Sequence, residues 1–362
     1  MSTFCLHIST EHFSVEDILS WSGKHVDPYT NEALTYCKHW LEGKAQFEFK
    51  TSGSTGTPKT IYINRSQIEA SATSTIHFFK LKEGDVVSCP LSIHVVGGQM
   101  MLYRSIIGGL NLYVIPPTKN LNSLNTSIDY TFMPIAALQL FEVLNNQPEI
   151  IPNLNKLTHL LIGGSSLSEA LLTDIRNTLT CKVWQSYGMT ETVSHVALRS
   201  IHPTTTNRYT LLENIEAGTD DRFCLKIKGA VTNNEWLQTN DSVELLDEMH
   251  FIFLGRADFI VNSGGIKIQV EPIEKLIAVL FTELNVDASF FVGGIADDAL
   301  GEKLILVVDT DAIDSEKKRY ILGKLTGALP KYHVPKEIHT IIFEYTASEK
   351  VDRKKTLEKI KG

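Results

Sequence analysis

The sequence predicts an α/β protein. A large N-terminal domain over residues 1–256 carries parallel and mixed sheets with a small β unit, and a smaller α+β domain follows over 257–362. Three observations lead there. Between residues 86 and 186, short apolar runs alternate with helical stretches at the spacing of βαβ units, which bury a largely parallel sheet between helices. From Arg199 to Arg256 the segments shorten and alternate with turn residues, as in a small antiparallel unit. From about residue 257 a fresh set of strands and helices begins behind the glycine pair Gly264-Gly265.

In order, 15–21 and 33–41 have helical apolar spacing. Trp21, Trp40, His7, His12, His25 and His39 show no metal-like spacing and read as packing or surface groups. Residues 47–50 and 60–64 both alternate apolar and polar, so 51–59 is expected to be a tight connection between two strands. Ser66-x-x-Glu69 has the form of a capping box opening a helix to about Lys80. A strand over 86–91, a helix over 99–107 and a strand over 110–115 follow, the helix stopped by Gly108-Gly109. The pattern repeats with strands at 130–134, 157–162 and 181–186. Between them lie helices over 135–144 and from the Ser166-x-x-Glu169 box to about Leu179. In the C-terminal region, helices are expected over 271–283 and 315–329, strands at 288–292, 304–308 and 338–345, and a basic terminal helix.

Composition narrows the function. The chain has 362 residues, 43% hydrophobic and 21% charged, enough for two or three domains with a substantial core. Its net charge of -8 argues against a nucleic-acid partner, which requires a basic face. An anionic ligand must then be met by individually placed cations. The cysteines at 5, 37, 89, 181 and 224 show no C-x-x-C spacing, which suits a reducing cytoplasm without a disulfide frame or zinc site. No apolar run approaches the roughly 18 residues of a membrane span, and no secretory pattern opens the chain.

The connection 51–59 reads Thr51-Ser52-Gly53-Ser54-Thr55-Gly56-Thr57-Pro58-Lys59. Glycines let backbone N–H groups approach a ligand, hydroxyls add donors, and lysine adds a charge able to follow a leaving phosphate. The run departs from a Walker loop because Pro58 stands where the second glycine belongs and strand-like sequence follows. In parallel sheets, ligands bind beyond the carboxyl ends of the strands. Two such exits are rich in glycine and hydroxyls: Gly163-Gly164-Ser165-Ser166 and Ser186-Tyr187-Gly188-Met189-Thr190-Glu191-Thr192. Glu191 offers a carboxylate for Mg²⁺ or for the start of a helix, and Asp241 is placed for a ribose diol or for a turn.

Taken in order, these motifs resemble the acyl-adenylate-forming superfamily of acyl-CoA synthetases, luciferases and adenylation domains. The resemblance rests on the 51–59 loop, Ser186–Thr192, Thr239-Asn240-Asp241, the run from Gly255 to Gly265, and Thr346-Ala-Ser-Glu-Lys350-Val-Asp-Arg353. It implies ATP, Mg²⁺ and CoA as ligands. Thr51 to Gly56 with Lys59 would grip the β and γ phosphates. Ser186, Tyr187, Gly188 and Met189 would line the nucleotide, Tyr187 along the adenine. Thr190 would lie near the α-phosphate, Glu191 on Mg²⁺, and Asp241 with Arg256 on the ribose. Gly164 belongs to the same nucleotide wall. Asp258 falls at the hinge about which a mobile C-terminal domain swings, and Lys350 at the lysine that meets the carboxylate and α-phosphate. Gly264, Gly265 and Lys267 would approach CoA.

Two residues depart from the superfamily pattern: Glu349 precedes the lysine where glycine is usual, and Asn240 replaces glycine before Asp241. Only 50 residues precede the phosphate loop, so an N-terminal subdomain is expected to be largely truncated. This short form most resembles the o-succinylbenzoate–CoA ligases of menaquinone biosynthesis, with His94, Ser165, Ser194 and His195 as acid-lining residues. His195 is equally readable as a satisfied surface histidine. Another aryl- or acyl-CoA ligase, a carrier-protein-loading enzyme, and a non-catalytic nucleotide-binding relative stay open as alternatives.

Overall fold

The computed structural model describes residues 3–50, 60–163, 167–309, 313–345 and 351–360. Among them, thirteen strands form one long mixed sheet. Its centre is six parallel strands, in spatial order Lys182–Gly188, His159–Gly163, Phe132–Ala136, Val86–Cys89, Asn111–Val114 and Cys5–Ile8. Parallel strands are buried on both faces and therefore read as continuous apolar runs, which is why all of these but Cys5–Ile8 were legible. One face is covered by helices Pro28–Leu41, Arg65–Phe79 and Val96–Gly108, packed through Trp40, Phe79 and Tyr103. The other carries Ala137–Asn146, Ile151–Lys156 and Glu169–Thr178, packed through Leu140, Leu154 and Ile175.

The small antiparallel unit is present, and it is continuous with the main sheet. His195–His202 pairs antiparallel with Lys182–Gly188, and strands 208–211, 250–256, 237–245, 224–229 and 215–219 continue outward from it. At the opposite edge, the hairpin Cys5–Ile8 and Glu11–Ser14 adds two strands that the mixed N-terminal sequence did not announce. Gln46–Lys50 and Thr60–Asn64 form the expected separate hairpin, ending at the pair Lys50 and Thr60. The 51–59 loop itself lies outside the described residues.

Two helix starts differ from expectation. Asn64, not Ser66, precedes the helix Arg65–Phe79, and its N–H donates to the Gln67 side chain at 3.0 Å. Glu69 instead pairs with Arg65 one turn back. Ser168 caps Glu169–Thr178 by accepting from the Leu171 N–H. Near each expected box, a polar residue a few positions away does the capping, because side-chain reach to free N–H groups decides and not the motif.

The strand order reverses beside Val86–Cys89, where the chain passes to Asn111–Val114 on one side and returns to Phe132–Ala136 on the other. Such a reversal opens a crevice at the carboxyl ends of the strands. Phe132–Ala136 pairs with Val86–Cys89 at Phe132 only, so Pro134 sits where the two strands have parted and its missing N–H leaves no ladder bond unmade on that side. Phe132 is fully buried, its ring 4.9 Å from Phe79. Phe132→Ala is expected to lower unfolding free energy by about 3–5 kcal/mol in urea melts, through lost burial and an unfilled cavity. A loss below about 1 kcal/mol would mean that the core collapses around the gap.

From Val261 onward a second sheet forms. Ile266–Ile268, Val261–Ser263, Gly301–Val308 and Phe290–Asp297 lie in that order, with Glu337–Thr340 parallel to Gly301–Val308. Helices Glu271–Glu283, Ser315–Ala328 and Arg353–Ile360 accompany it, and its apolar clusters around Ile277, Leu306 and Phe291 are its own. Gly264 and Gly265 make the two-residue hairpin turn between Val261–Ser263 and Ile266–Ile268, with φ of 60° and 80°. Two consecutive left-handed residues match the twist of the flanking strands, which is the use of a glycine pair there. Among the described residues, no helix is long and apolar enough to cross a membrane.

Candidate active site

Tyr187 lies near the end of Lys182–Gly188, its ring edge-on to Phe251 at 5.2 Å and to Tyr209 at 5.8 Å. Its hydroxyl donates to Oδ2 of Asp241 at 2.5 Å. Burial, then the neighbouring carboxylate, raise the phenol well above its ordinary pKa, so it remains a donor. Asp241 pairs in register with Arg256 across two antiparallel strands, and Nη1 of Arg256 donates to Oδ1 at 3.3 Å. Nη2 of Arg256 continues to Asp258 at 2.5 Å. A carboxylate has about four acceptor positions, and those two bonds leave capacity on Asp241 for a diol. Asp241 lies within the strand 237–245 and not in a turn; Thr239 accepts from its N–H at 3.0 Å, and Asn240 accepts from Arg222 at 3.3 Å. Tyr187, Asp241, Arg256 and Asp258 are thus one connected polar chain. Tyr187, expected along an adenine, is joined through its hydroxyl to the carboxylate expected at the ribose.

Beyond Tyr187 the backbone is tightly determined. A Cβ on Gly188 would fall 2.3 Å from the Ser194 carbonyl oxygen, so only glycine fits. Thr190–Thr192 forms a single 3₁₀ turn, and the Thr192 hydroxyl lies within hydrogen-bond distance of the carbonyls of Met189, at 3.0 Å, and Ser194, at 2.7 Å, to either of which its one proton can be donated. Val193 then takes φ 66° and ψ −49°, and the Ser194 N–H reaches back to the Thr192 carbonyl at 2.7 Å. That three-residue turn of the rare hand is strained for a β-branched residue. Such strain costs on the order of 1–3 kcal/mol and persists where surrounding structure over-determines it. Its result is a division of side chains: Thr190 and Thr192 are buried, Glu191 is exposed, and Ser194 and His195 turn inward. Among the described residues, the Glu191 carboxylate has no hydrogen-bond or ion-pair partner. Ser186 donates to the Ile162 carbonyl at 3.2 Å and ties this exit to the neighbouring one. Gly164 and Ser165 lie outside the described residues.

Ser194 and His195 enter a buried polar group with Ser71, Thr75 and Arg104. Ser194 Oγ is 2.6 Å from Ser71 Oγ and accepts from Nη2 of Arg104 at 2.7 Å. His195 Nε2 is 3.1 Å from Thr75 Oγ1, and burial, then the Arg104 charge, push its pKa well down, so the ring is neutral. It is not a surface histidine. His94 stands apart, half exposed at the carboxyl end of Val86–Cys89, with Nδ1 3.3 Å from Glu32 and its ring edge-on to Tyr29. Arg104 was missed by sequence reasoning. Its signal was one cation inside the apolar run Met100-Met101-Leu102-Tyr103.

Residues 49–216 match the family described as AMP-binding enzyme. The acyl-CoA synthetase (AMP-forming)/AMP-acid ligase II-like protein from Dyadobacter fermentans is 35% identical, with a TM-score of 0.65 over 96% of this chain and 99% of that one. The chain belongs to the AMP-binding enzyme family. Among curated AMP-binding relatives, the 2-succinylbenzoate–CoA ligase of Listeria monocytogenes is 27% identical over 356 residues, covering 91% of this chain and 73% of that protein. A Bacillus cereus protein of the same name is 26% identical over 376 residues. The fold is also that of the O-succinylbenzoate coenzyme A synthetase from Bacillus subtilis, solved with ATP and magnesium ion, at 22% identity and a TM-score of 0.70. That comparison covers 86% of this chain and 69% of the other.

In this AMP-binding enzyme, the helix Glu271–Glu283 beside the second sheet meets the polar chain at Glu271, whose carboxylate accepts the Arg256 N–H at 2.7 Å. Burial raises the Glu271 pKa. Gly264, Gly265 and Lys267 sit on the exposed hairpin described above and make no hydrogen bond or ion pair with Tyr187 or Asp241 among the described residues. Lys350 lies outside the described residues. Three positions on, Arg353 is clamped to both oxygens of Glu274 at 2.8 and 3.1 Å and lies over Phe259. Among the described residues, no group of three or more His, Cys, Asp or Glu could hold a metal ion. The Glu191 carboxylate, without a partner among the described residues, fits Mg²⁺, which usually takes one or two carboxylates and completes its shell with phosphates and water.

Proposed function

We propose that this AMP-binding enzyme uses ATP to activate a carboxylic acid as an acyl-adenylate, releases pyrophosphate, and transfers the acyl group to the thiol of CoA. The observation that carries the reading is the Tyr187–Asp241–Arg256 chain, followed four residues beyond Tyr187 by Glu191, whose carboxylate meets no partner among the described residues. Asp241 accepts from the ribose hydroxyls while Tyr187 and Arg256 hold its orientation. Thr51 to Gly56 and Lys59 hold the β and γ phosphates, and Ser186 to Met189 and Gly164 line the nucleotide. Thr190 lies at the α-phosphate, and Glu191 would hold Mg²⁺. When bound, the ion supplies positive charge at phosphates approached by a second anion. Lys350 supplies the remaining charge where the acid oxygen meets phosphorus. Residues 1–256 hold ATP and acid, and residues 257–362 swing about Asp258 between the two half-reactions, bringing Gly264, Gly265 and Lys267 to CoA. Closure excludes water from an activated ester that would otherwise hydrolyse.

The acid best supported is o-succinylbenzoate. The curated relatives at 25–28% identity carry that name, and the inward-turned Ser194 and His195 provide polar groups on a buried wall. His94 and Ser165 would complete the lining of the acid pocket. The test is acid-dependent exchange of labelled pyrophosphate into ATP across a panel of carboxylates, followed by thioester formation with CoA. Exchange driven by o-succinylbenzoate is expected. Exchange with simple aryl acids alone would remove the assigned acid. Nucleotide binding without exchange for any acid would leave a non-catalytic relative.

A further inference from the structure

Arg256 is held by carboxylates from three elements. Its Nη1 donates to Asp241 on the strand 237–245, and its Nη2 to Asp258 in the turn Ala257–Phe259. Its backbone N–H donates to Oε1 of Glu271, the first residue of the helix Glu271–Glu283, at 2.7 Å. The first carboxylate is the proposed ribose acceptor, and the second marks the proposed hinge. The third belongs to the proposed mobile domain. A swing about Asp258 would carry Glu271 away from Arg256 while leaving Asp241 in place.

The fit around Glu271 is specific. Gly255 is buried, with φ of 143°, and a Cβ there would fall 2.4 Å from Oε2 of Glu271. Glycine at 255 is what lets the carboxylate lie against the Gly255–Arg256 peptide. A glutamate in the first turn of a helix gains from the helix dipole while still in water, so that role does not call for burial. Here burial raises its pKa, and Oε2 meets no hydrogen-bond partner among the described residues. Nε of Arg256 is buried without one as well. Buried polar atoms without partners are costly, so this contact is one strong bond in an unsaturated setting. Opening it breaks that bond and returns two stranded polar atoms to water. Such a contact can hold and can also let go.

We infer that Glu271 is a positioning residue that couples ribose binding to the orientation of the mobile domain. The inference rests on the acid-activating reading above, with its swing about Asp258, and deepens it. With Glu271 in place, the Arg256 backbone is anchored and its side chain steadies Asp241 for the ribose diol. After the swing that anchor is gone and the hold on the ribose loosens, at the stage when AMP must leave. Linkage makes the effect reciprocal. A nucleoside on Asp241 favours the latched orientation by the same factor by which that orientation favours the nucleoside.

The test compares the full-length wild type, Glu271→Ala and Glu271→Gln, each also prepared with one fluorophore on either side of the hinge. In pyrophosphate–ATP exchange, Glu271→Ala is expected to raise the KM for ATP about tenfold, the loss of one bond to a charged acceptor, with kcat changed less than about twofold. Glu271→Gln keeps an acceptor of the same size without its charge, and should recover part of that loss. Thioester formation from supplied acyl-adenylate is expected to stay within about twofold of wild type, because the contact is absent from the swung orientation. Adenosine carries the ribose and no phosphate. It is expected to shift energy transfer between the two fluorophores in the wild type, and to need about tenfold higher concentration in Glu271→Ala.

Equal losses in both half-reactions would overturn the coupling and leave Glu271 a residue of the fold at a helix start. So would an absent adenosine response in the wild type, or the same response in wild type and Glu271→Ala. If Glu271→Ala does not fold, Glu271→Gln carries the same comparisons, with an expected rise in KM of about threefold. Failure of exchange with every acid would instead strike the activity, while the adenosine response still decides the coupling.

Discussion

Lys350→Ala is expected to lower acid-dependent pyrophosphate–ATP exchange by about 100-fold or more while changing thioester formation from supplied acyl-adenylate far less. In the first half-reaction a carboxylate approaches an anionic α-phosphate, and a fixed cation is worth most where charge is being forced together in a site without water. Removing one such group typically costs 10²–10³ in rate, or about 3–4 kcal/mol. In the second half-reaction the thiol attacks an ester whose phosphate is leaving, and on the proposed swing about Asp258 the lysine would by then have moved away with its domain. Arg353, three residues on, is clamped to both oxygens of Glu274. Rapid-quench measurement of both half-reactions checks this. Equal losses in both would take Lys350 out of the adenylation step.

Asp241→Asn is expected to reduce kcat/KM for ATP by about 100-fold, read by exchange kinetics and by calorimetric titration of nucleotide. The substitution keeps the size of the side chain and removes its charge. Hydrogen bonds to a charged acceptor contribute about 1.5–3 kcal/mol, twice the neutral value, and a diol makes up to two of them. Arg256 retains Asp258 as a partner in the variant, so folding should suffer less than binding. Tyr187→Phe provides the contrast. It removes the 2.5 Å bond but leaves the carboxylate, and a loss of about tenfold or less is expected. Unchanged nucleotide affinity in Asp241→Asn would refute the ribose role.

Much of the scaffold was readable because its cause is local. Runs such as Phe132–Ala136 and His159–Gly163 are apolar throughout since both faces of a parallel strand are covered. The helix Glu271–Glu283 was delimited by its own periodicity. The hairpin around 51–59 followed from period-two alternation on both sides. The strands Cys5–Ile8 and Glu11–Ser14 were missed because an edge hairpin, half exposed and rich in His and Glu, carries a weak pattern. Helix caps were misplaced by two residues because several polar residues compete for each free N–H.

The candidate site divides in the same way. Gly188 and the Thr190-Glu191-Thr192 turn belong to one continuous segment, and their residue types alone pointed to a ligand. The strain at Val193, which sends Glu191 outward and Ser194 inward, is a backbone state that no side-chain type announces.

By itself, the sequence determined the βαβ layers and the glycine- and hydroxyl-rich segments at the strand ends, and it nominated residues to meet phosphate, ribose and magnesium. Those follow from periodicity and from the chemistry each side chain carries wherever it lies. Only the tertiary structure decided that Tyr187 and Asp241, 54 positions apart, share a hydrogen bond. It also decided that Arg104 meets Ser194 across 90 positions without meeting a carboxylate among the described residues. Whether a charge is paired depends on what packing brings beside it from the rest of the chain, and in a buried site that pairing sets the energy.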